Sequence, residues 1–244
     1  MTPGLLVRAR LADARTFFPA KPHCSYVSQQ KADYVDDVDV DDDWDSHPTA
    51  DELTEAVENL EAHGFDVEVV EDAAAALDVL VDEIPDGASV MNGHSTTLEE
   101  VGFDEYLDDG DHDWEDLAAE IWSIDDDEER DAARRDAQTA DYFLGGVNGV
   151  AQTGALVAAD LSGSRVGAYP FAAKHLLLVA GVNKVVEDVE AARERLHEYA
   201  YEFENQRAQD AYGVESAPSK ELIYRQEGTE GRTTVVLVEE TLGY

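Results

Sequence analysis

The run His175-Leu-Leu-Leu-Val-Ala-Gly181 constrains this chain more than any other stretch. It is apolar at consecutive positions, so as a strand it must be covered on both faces. It is far shorter than the roughly 18 residues that a membrane helix requires. A sheet buried on both faces needs helices above and below it. The upstream sequence supplies them in alternation. Thr49 or Asp51 starts a helix through His63, with Leu53, Val57 and Leu60 at helical spacing. Gly64 ends it, and 65–70 alternates as a strand does. A second helix spans 73–81, a turn follows at 84–87, and 88–91 is the next strand. Short strands alternating with helices predict βαβ units, and so an α/β fold with a mainly parallel sheet flanked by helices.

Further along, 95–107 reads as helix and 108–113 as loop. The stretch 114–139 is one long charged helix, or two split at the acidic run 125–129, with a core stripe through Leu117, Ile121 and Ile124. Residues 141–168 are rich in glycine and strand formers. Turns at Asn148-Gly149 and Thr153-Gly154 predict two or three short strands, a small antiparallel element. An amphipathic helix covers 189–206, a loop 210–220, and a last strand 233–239. In 33–49, valine alternates with aspartate, which fits an edge strand or a solvated acidic lead-in. No linker or repeat divides 33–244, so it is taken as one domain.

Charge excludes more than it identifies. The net charge is −39, from 56 acids against 17 bases, spread along the chain rather than gathered in a tail. Nucleic-acid binding is disfavoured, since phosphate contacts need basic stripes. A carboxylate shell of this density suits a salt-rich cytoplasm, where a Debye length of about 3 Å at 1 M salt makes self-repulsion local. The single cysteine, Cys24, and seven scattered histidines leave no disulfide framework and no metal-ligand spacing. No metal and no cofactor are expected. No apolar run is long enough for a membrane span, and the expected location is cytoplasmic.

The first 31 residues differ in composition, with five bases and one acid, whereas the rest hold twelve bases and fifty-five acids. Residues 1–32 are therefore expected to be an extension outside the domain: a disordered arm, or the product of a start assigned too early, with Val27 as the true initiation point. Leu5-Leu6-Val7, interrupted by Arg8, is too short for a signal peptide.

Three strands end alike: Met91-Asn92-Gly93, Val147-Asn148-Gly149 and Val182-Asn183-Lys184. Ligands of open α/β sheets sit beyond such carboxyl ends. If the strands are neighbours, Asn92, Asn148, Asn183 and Lys184 converge on one crevice, a set suited to a small carboxylate. The stretch NGHSTTLEEVG adds Gly93, His94, Ser95, Thr96 and Thr97 at a helix start, where free N–H groups favour anions. Glu100 is the candidate general base and Lys184 the candidate catalytic cation. The same residues have a plainer account. Thr96-x-x-Glu99 is a capping box, Asn-Gly is common turn chemistry, and Lys184 can simply solvate a helix start.

Taken in order, NGHSTTLEEVG, the run YFLGGVNGVAQTGALVAAD and Gly181-Val-Asn183-Lys184 resemble the LUD-domain family of LutC/YkgG-type lactate-utilisation proteins. The resemblance spans roughly 50–205. It rests on Ser95, Thr97, Glu100 and Gly102, on Asn148 to Gly154, and on Asn183-Lys184. It implies a fold similar to the NagB/RpiA/CoA-transferase group. It also implies a link to oxidation of lactate or a related 2-hydroxy acid, with iron–sulfur oxidoreductase subunits as partners. Many short members carry cysteines after the last long helix. Here that region reads RAQDAYGVESAPSKELIY, without one, so a cluster role for it is absent. Nothing identifies Glu100 as a covalent nucleophile of the CoA-transferase kind.

Three functions stay open at this point. The chain binds a small carboxylate, or a phosphorylated or nucleotide-type metabolite, in lactate utilisation. It is a non-catalytic assembly subunit of an iron–sulfur oxidoreductase. Or it is an isomerase or group-transfer enzyme for a sugar phosphate, which would want more strand-end cations than one lysine. A homo-oligomer is compatible with each. The charge balance makes one prediction: dialysis from molar KCl into dilute buffer should abolish the folded circular-dichroism signal. Full retention of structure in dilute buffer would refute the salt-adapted reading.

Overall fold

The computed structural model describes residues 30–244. Of the extension expected over 1–32, only Gln30, Lys31 and Ala32 fall within that range. The strands are β1 (Asp66–Val70), β2 (Ser89–Asn92), β3 (Glu115–Asp116), β4 (Tyr142–Gly146), β5 (Gly149–Ala151), β6 (Ala155–Asp160), β7 (His175–Gly181), β8 (Val185–Val186), β9 (Lys220–Tyr224) and β10 (Thr233–Val238). The helices are α1 (Ala50–Ala62), α2 (Ala73–Glu83), α3 (Thr96–Val101), α4 (Phe103–Asp109), α5 (Leu117–Trp122), α6 (Asp127–Asp136), α7 (Ser164–Gly167), α8 (Val189–Arg195) and α9 (Tyr201–Tyr212). A six-stranded sheet, parallel throughout, has the order β1-β10-β7-β4-β2-β3. A smaller mixed sheet has the order β8-β5-β6-β9.

The apolar runs take the central places. Along β7, Leu176, Leu178 and Ala180 enter one core and Leu177 and Val179 the other. In β10, Val235 and Leu237 divide from Val236 and Val238 in the same way. Side chains alternate across a strand, so an uninterrupted apolar run serves two cores at once. Ala56 and Leu60 of α1 close the first core, and Ala76 and Leu80 of α2 the second. Thr49 caps α1 in a reciprocal box with Glu52, and Asp72 caps α2 by accepting from Ala75 N at 2.8 Å.

Several local expectations give way to tertiary context. The helix expected over 95–107 breaks at Gly102, whose φ of 86° is left-handed, and resumes as α4. Its cap is Ser95 rather than Thr96, since Ser95 Oγ accepts from Leu98 N at 3.3 Å. The stretch 114–139 holds a two-residue strand and two helices, divided at 123–126. The antiparallel pairing within 141–168 is β5 with β6, while β4 joins the main sheet. The helix expected over 189–206 runs on to Tyr212 through a π-helical turn at Leu196–Ala200. Strands β8 and β9 were not anticipated, being too short or too charged to show a period.

Segment 33–49 is not a strand. Short 3₁₀ turns at Lys31–Asp33 and Asp42–Asp45 flank it and interrupt it; most of its aspartates are exposed, while Tyr34, Val38, Val40 and Trp44 pack on Tyr199, Phe203 and Tyr244. Val38 and Val40 of the Val/Asp alternation turn inward without a ladder, while Val35 stays exposed.

A buried network joins the two sheets beyond β9. The Glu227 carboxylate accepts from Thr233 Oγ1 at 2.7 Å, Arg232 Nη1 at 2.9 Å, Thr229 N at 2.8 Å and the Tyr224 hydroxyl. Burial alone would raise its pKa, but these donors outweigh burial and bring it to about 2. An ordinary glutamate titrates near 4.3, so the depressed value favours the folded state above about pH 4.3, and that contribution is lost as pH falls to about 2. Chemical denaturation in molar KCl should therefore show wild type more stable than Glu227→Gln at about pH 5, with the difference shrinking toward about pH 2. A difference that does not change over that range would exclude this role.

Candidate functional site

Strands β2, β4 and β7 are direct neighbours, and the chain leaving their carboxyl ends enters one cavity of about 650 Å³. Residues 91–97 after β2 form one wall, 146–148 after β4 a second, and Lys184 after β7 the floor. Residues 159–165 close a third side. Helix α9, the 214–218 loop and Tyr244 close the fourth.

The expected site residues divide on this geometry. Asn92, Gly93, His94, Ser95, Thr96, Thr97, Asn148 and Lys184 line the cavity. Asn92 Nδ2 donates to Asp104 Oδ1 at 2.6 Å, while Asn92 Oδ1 and Thr96 Oγ1 are buried without a geometric hydrogen-bond partner among the described residues. Asn148 is also a structural stitch, since its Oδ1 accepts from Ala159 N at 3.0 Å and its carbonyl from Arg195 Nη1 at 2.7 Å.

Three expected residues lie off the cavity. Gly154 forms the β5–β6 turn with φ 81°, where an added Cβ would meet Asn59 O and His63 Nδ1 at 2.6 Å. The Asn183 side chain faces the opposite way, donating to Asp45 Oδ1 at 2.7 Å and accepting from Leu242 N at 3.1 Å. Glu100 is also turned away. Its two oxygens accept from Lys31 N at 2.9 Å and Gly243 N at 2.6 Å, so it anchors the two ends of the described chain to α3. A carboxylate in that position is a clamp, and no base chemistry follows from it.

Asp45 organises the charges under the cavity. It pairs with Lys31 Nζ, bonds Asn183 and lies 3.8 Å from Arg195 Nη2. Burial would raise its pKa, but the hydrogen bonds from Lys31 and Asn183 prevail and lower it. Arg195 is fully buried, and desolvation pulls its pKa down to about 10 despite the nearby Asp45 charge.

Lys184 is 2% exposed, and Thr97 Oγ1 accepts its Nζ hydrogen bond at 2.7 Å. It makes no ion pair among the described residues. Gly243, with φ 59°, lets residues 242–244 cross above it, and a Cβ there would lie 2.4 Å from Thr97 Oγ1 and 3.1 Å from Lys184 Nζ. Burial, with Arg195, Lys31 and Arg165 as cationic neighbours and Glu100 opposing, holds the Lys184 pKa well below the ordinary lysine value.

Sequence reasoning missed Arg165, Glu204, Arg207 and Tyr244. Arg165 crosses Gly93 so closely that an added Cβ would sit 2.1 Å from its Cγ. Among the described residues, only Nη2 of its guanidinium is hydrogen-bonded, to Ala159 O at 2.7 Å. Glu204 takes two 2.8 Å bonds from Arg207 and one of 2.8 Å from the Tyr244 hydroxyl. Burial raises its pKa, but those donors and the Arg207 charge carry it to about 2. One signal was available. Of the thirteen lysines and arginines among the described residues, Arg134, Arg165, Lys184 and Arg207 line this cavity beside six of the fifty-five carboxylates. Cations are enriched there against the chain as a whole. No group of three or more His, Cys, Asp or Glu among the described residues is placed to hold a metal ion.

The family model of the LUD domain matches residues 53–238, well over half of the chain. The chain belongs to the LUD-domain family. Its matched span includes every cavity wall except Tyr244. Among solved structures, the crystal structure of a DUF162 family protein from Deinococcus radiodurans is similar at 13% identity, with a TM-score of 0.46, over 79% of this chain and 99% of that one. No curated protein matches. No helix among the described residues of this LUD-domain chain is long and apolar enough to cross a membrane.

The close passage of Arg165 over Gly93 is testable. Gly93→Ala should force the Arg165 stem out of its place, at a cost of about 1–3 kcal/mol seen as a lower denaturation midpoint in molar KCl. An unchanged midpoint would show that the two residues do not meet.

Proposed function

We propose that this LUD-domain chain binds a small carboxylate in the strand-end cavity and serves utilisation of lactate or a related 2-hydroxy acid. The observation that carries the reading is Arg165. It presents a guanidinium with one hydrogen-bonded nitrogen to a cavity whose floor is a lysine without an ion pair. Guanidinium and carboxylate match in shape, and a two-point contact fixes orientation as well as charge. The hydroxyls of Ser95, Thr96 and Thr97, with Asn92 Oδ1, offer partners for the ligand's own hydroxyl or carbonyl. In this reading Arg165 carries the anion, and Lys184, on the same cavity, is the cation left for the rest of the ligand. The general-base role expected of Glu100 is not part of the proposal, because both its oxygens are occupied by backbone N–H groups.

Family membership supports the link to lactate, and with it iron–sulfur oxidoreductase subunits as the partners that accept electrons. A sugar-phosphate substrate ranks lower. Arg207 is committed to Glu204, and the wall carries more carboxylates than cations.

A thermal-unfolding screen in molar KCl tests the proposal with L-lactate, glycolate, pyruvate, sugar phosphates and CoA esters. A small carboxylate should stabilise the chain, by about 2.7 kcal/mol at a hundredfold excess over Kd. Arg165→Ala should weaken that binding by roughly tenfold or more. A screen in which small carboxylates have no effect, or Arg165→Ala leaves their affinity intact, overturns it.

A further inference from the structure

We infer that Lys184 is an amine nucleophile that captures the carbonyl carbon of a bound 2-oxo acid as an imine. The inference rests on the carboxylate reading of the cavity and specifies the ligand's oxidised form.

The geometry is that of a lysine denied its usual counter-ion. Lys184 is buried, lines the cavity and has Thr97 Oγ1 as the hydrogen-bond acceptor of its Nζ. Glu100, the carboxylate that acts on Lys184, and Asp45 in the adjoining network are already engaged. Asp45 is taken by Lys31, Arg195 and Asn183. Glu100 is taken by two backbone N–H groups. The charged groups acting on Lys184 from the elements around it are Arg195 on α8, Lys31 in the first 3₁₀ turn, Arg165 on α7 and Glu100 on α3. Three of the four are cations. An ammonium here would be desolvated, would use one acceptor for three N–H groups and would be repelled by three cations against one opposing carboxylate. The neutral amine is favoured, consistent with the lowered pKa. With its N–H given to Thr97, the nitrogen lone pair is free to face the cavity. Desolvation next to other cations is a known physical route to a nucleophilic lysine.

The ligand class follows from the chemistry of the two groups. Arg165 and Lys184 border the same cavity, and a 2-oxo acid carries its electrophilic carbon directly beside its carboxylate. With the carboxylate on Arg165, the carbonyl carbon is presented to Nζ. The N–C bond forms while the carbonyl π pair moves to oxygen. That oxygen takes the proton released by nitrogen, through water in the open cavity. The carbinolamine hydroxyl then takes a proton from solvent and leaves as water, while the nitrogen lone pair forms the C=N bond and the nitrogen keeps its remaining hydrogen as the protonated imine. No oxidant or reductant is consumed. A positive charge on the protonated imine is matched by the ligand's own carboxylate, which a simple aldehyde would lack. A 2-hydroxy acid has no carbonyl and cannot react.

The test uses the full chain in molar KCl with pyruvate and sodium cyanoborohydride, which reduces an imine to a stable secondary amine. Peptide mapping by mass spectrometry then locates the adduct. The expected result is reduced pyruvate on Lys184, formed roughly tenfold or more faster than on the exposed Lys174. Lactate should give no adduct, and Lys184→Arg should abolish the specific one. Because the map is made on wild type, it decides the matter even if the variant does not fold. Calorimetry with pyruvate separates the two ideas. Binding without a Lys184 adduct, or labelling that favours Lys174, overturns the imine and leaves the carboxylate site standing. Neither binding nor labelling overturns both.

Discussion

A buried charge must meet an opposite charge or give up its own, and the strand-end cavity of this molecule is built around that constraint. Asp45 is the one carboxylate in the described structure that answers two cations and Asn183 together. It draws Lys31 and Arg195 under the strand ends and so ties segment 31–45 to α8 and to the turn after β7. Lys184, one residue from Asn183, is left with a hydroxyl as its partner. The chemistry proposed for the cavity begins with that imbalance.

The sheet makes the imbalance possible. Strands β7 and β10 bury both faces, so functional groups are excluded from the body of the sheet and pushed to its ends. Parallel strands put all their carboxyl ends on one side, and neighbours β2, β4 and β7 deliver their exits to the same place. The smaller sheet then supplies the opposing wall, bringing Arg165 over Gly93. A crevice at an edge becomes a walled cavity without any change in the main sheet.

Much of this was legible from residue order. Consecutive apolar residues at 175–181 require two-sided burial, and strands alternating with helices require a parallel sheet. Asn92, Asn148 and Lys184 could be placed at strand ends because strand ends are local features. Direction was not legible. Asn183 and Lys184 are adjacent, yet one side chain turns to Asp45 and the other to the cavity. Glu100 read as a base because its partners, Lys31 N and Gly243 N, lie far away in the sequence. Arg165, Glu204, Arg207 and Tyr244 carried no motif, and the rarity of cations was the one available sign.

The sequence by itself determined the layers, the parallel pairing and the family, because hydrophobic period and short-range turn chemistry act over a few residues. It also determined the chain's commitment to an acidic surface. Only the tertiary structure decided which polar groups share a cavity and which brace the fold, because that depends on long-range contacts between segments. The state of Lys184 is the sharpest case. Burial is the largest influence lowering its pKa, and Arg195, Glu100, Lys31 and Arg165, four groups on four separate elements, act on it next. No local pattern encodes the sum of their fields.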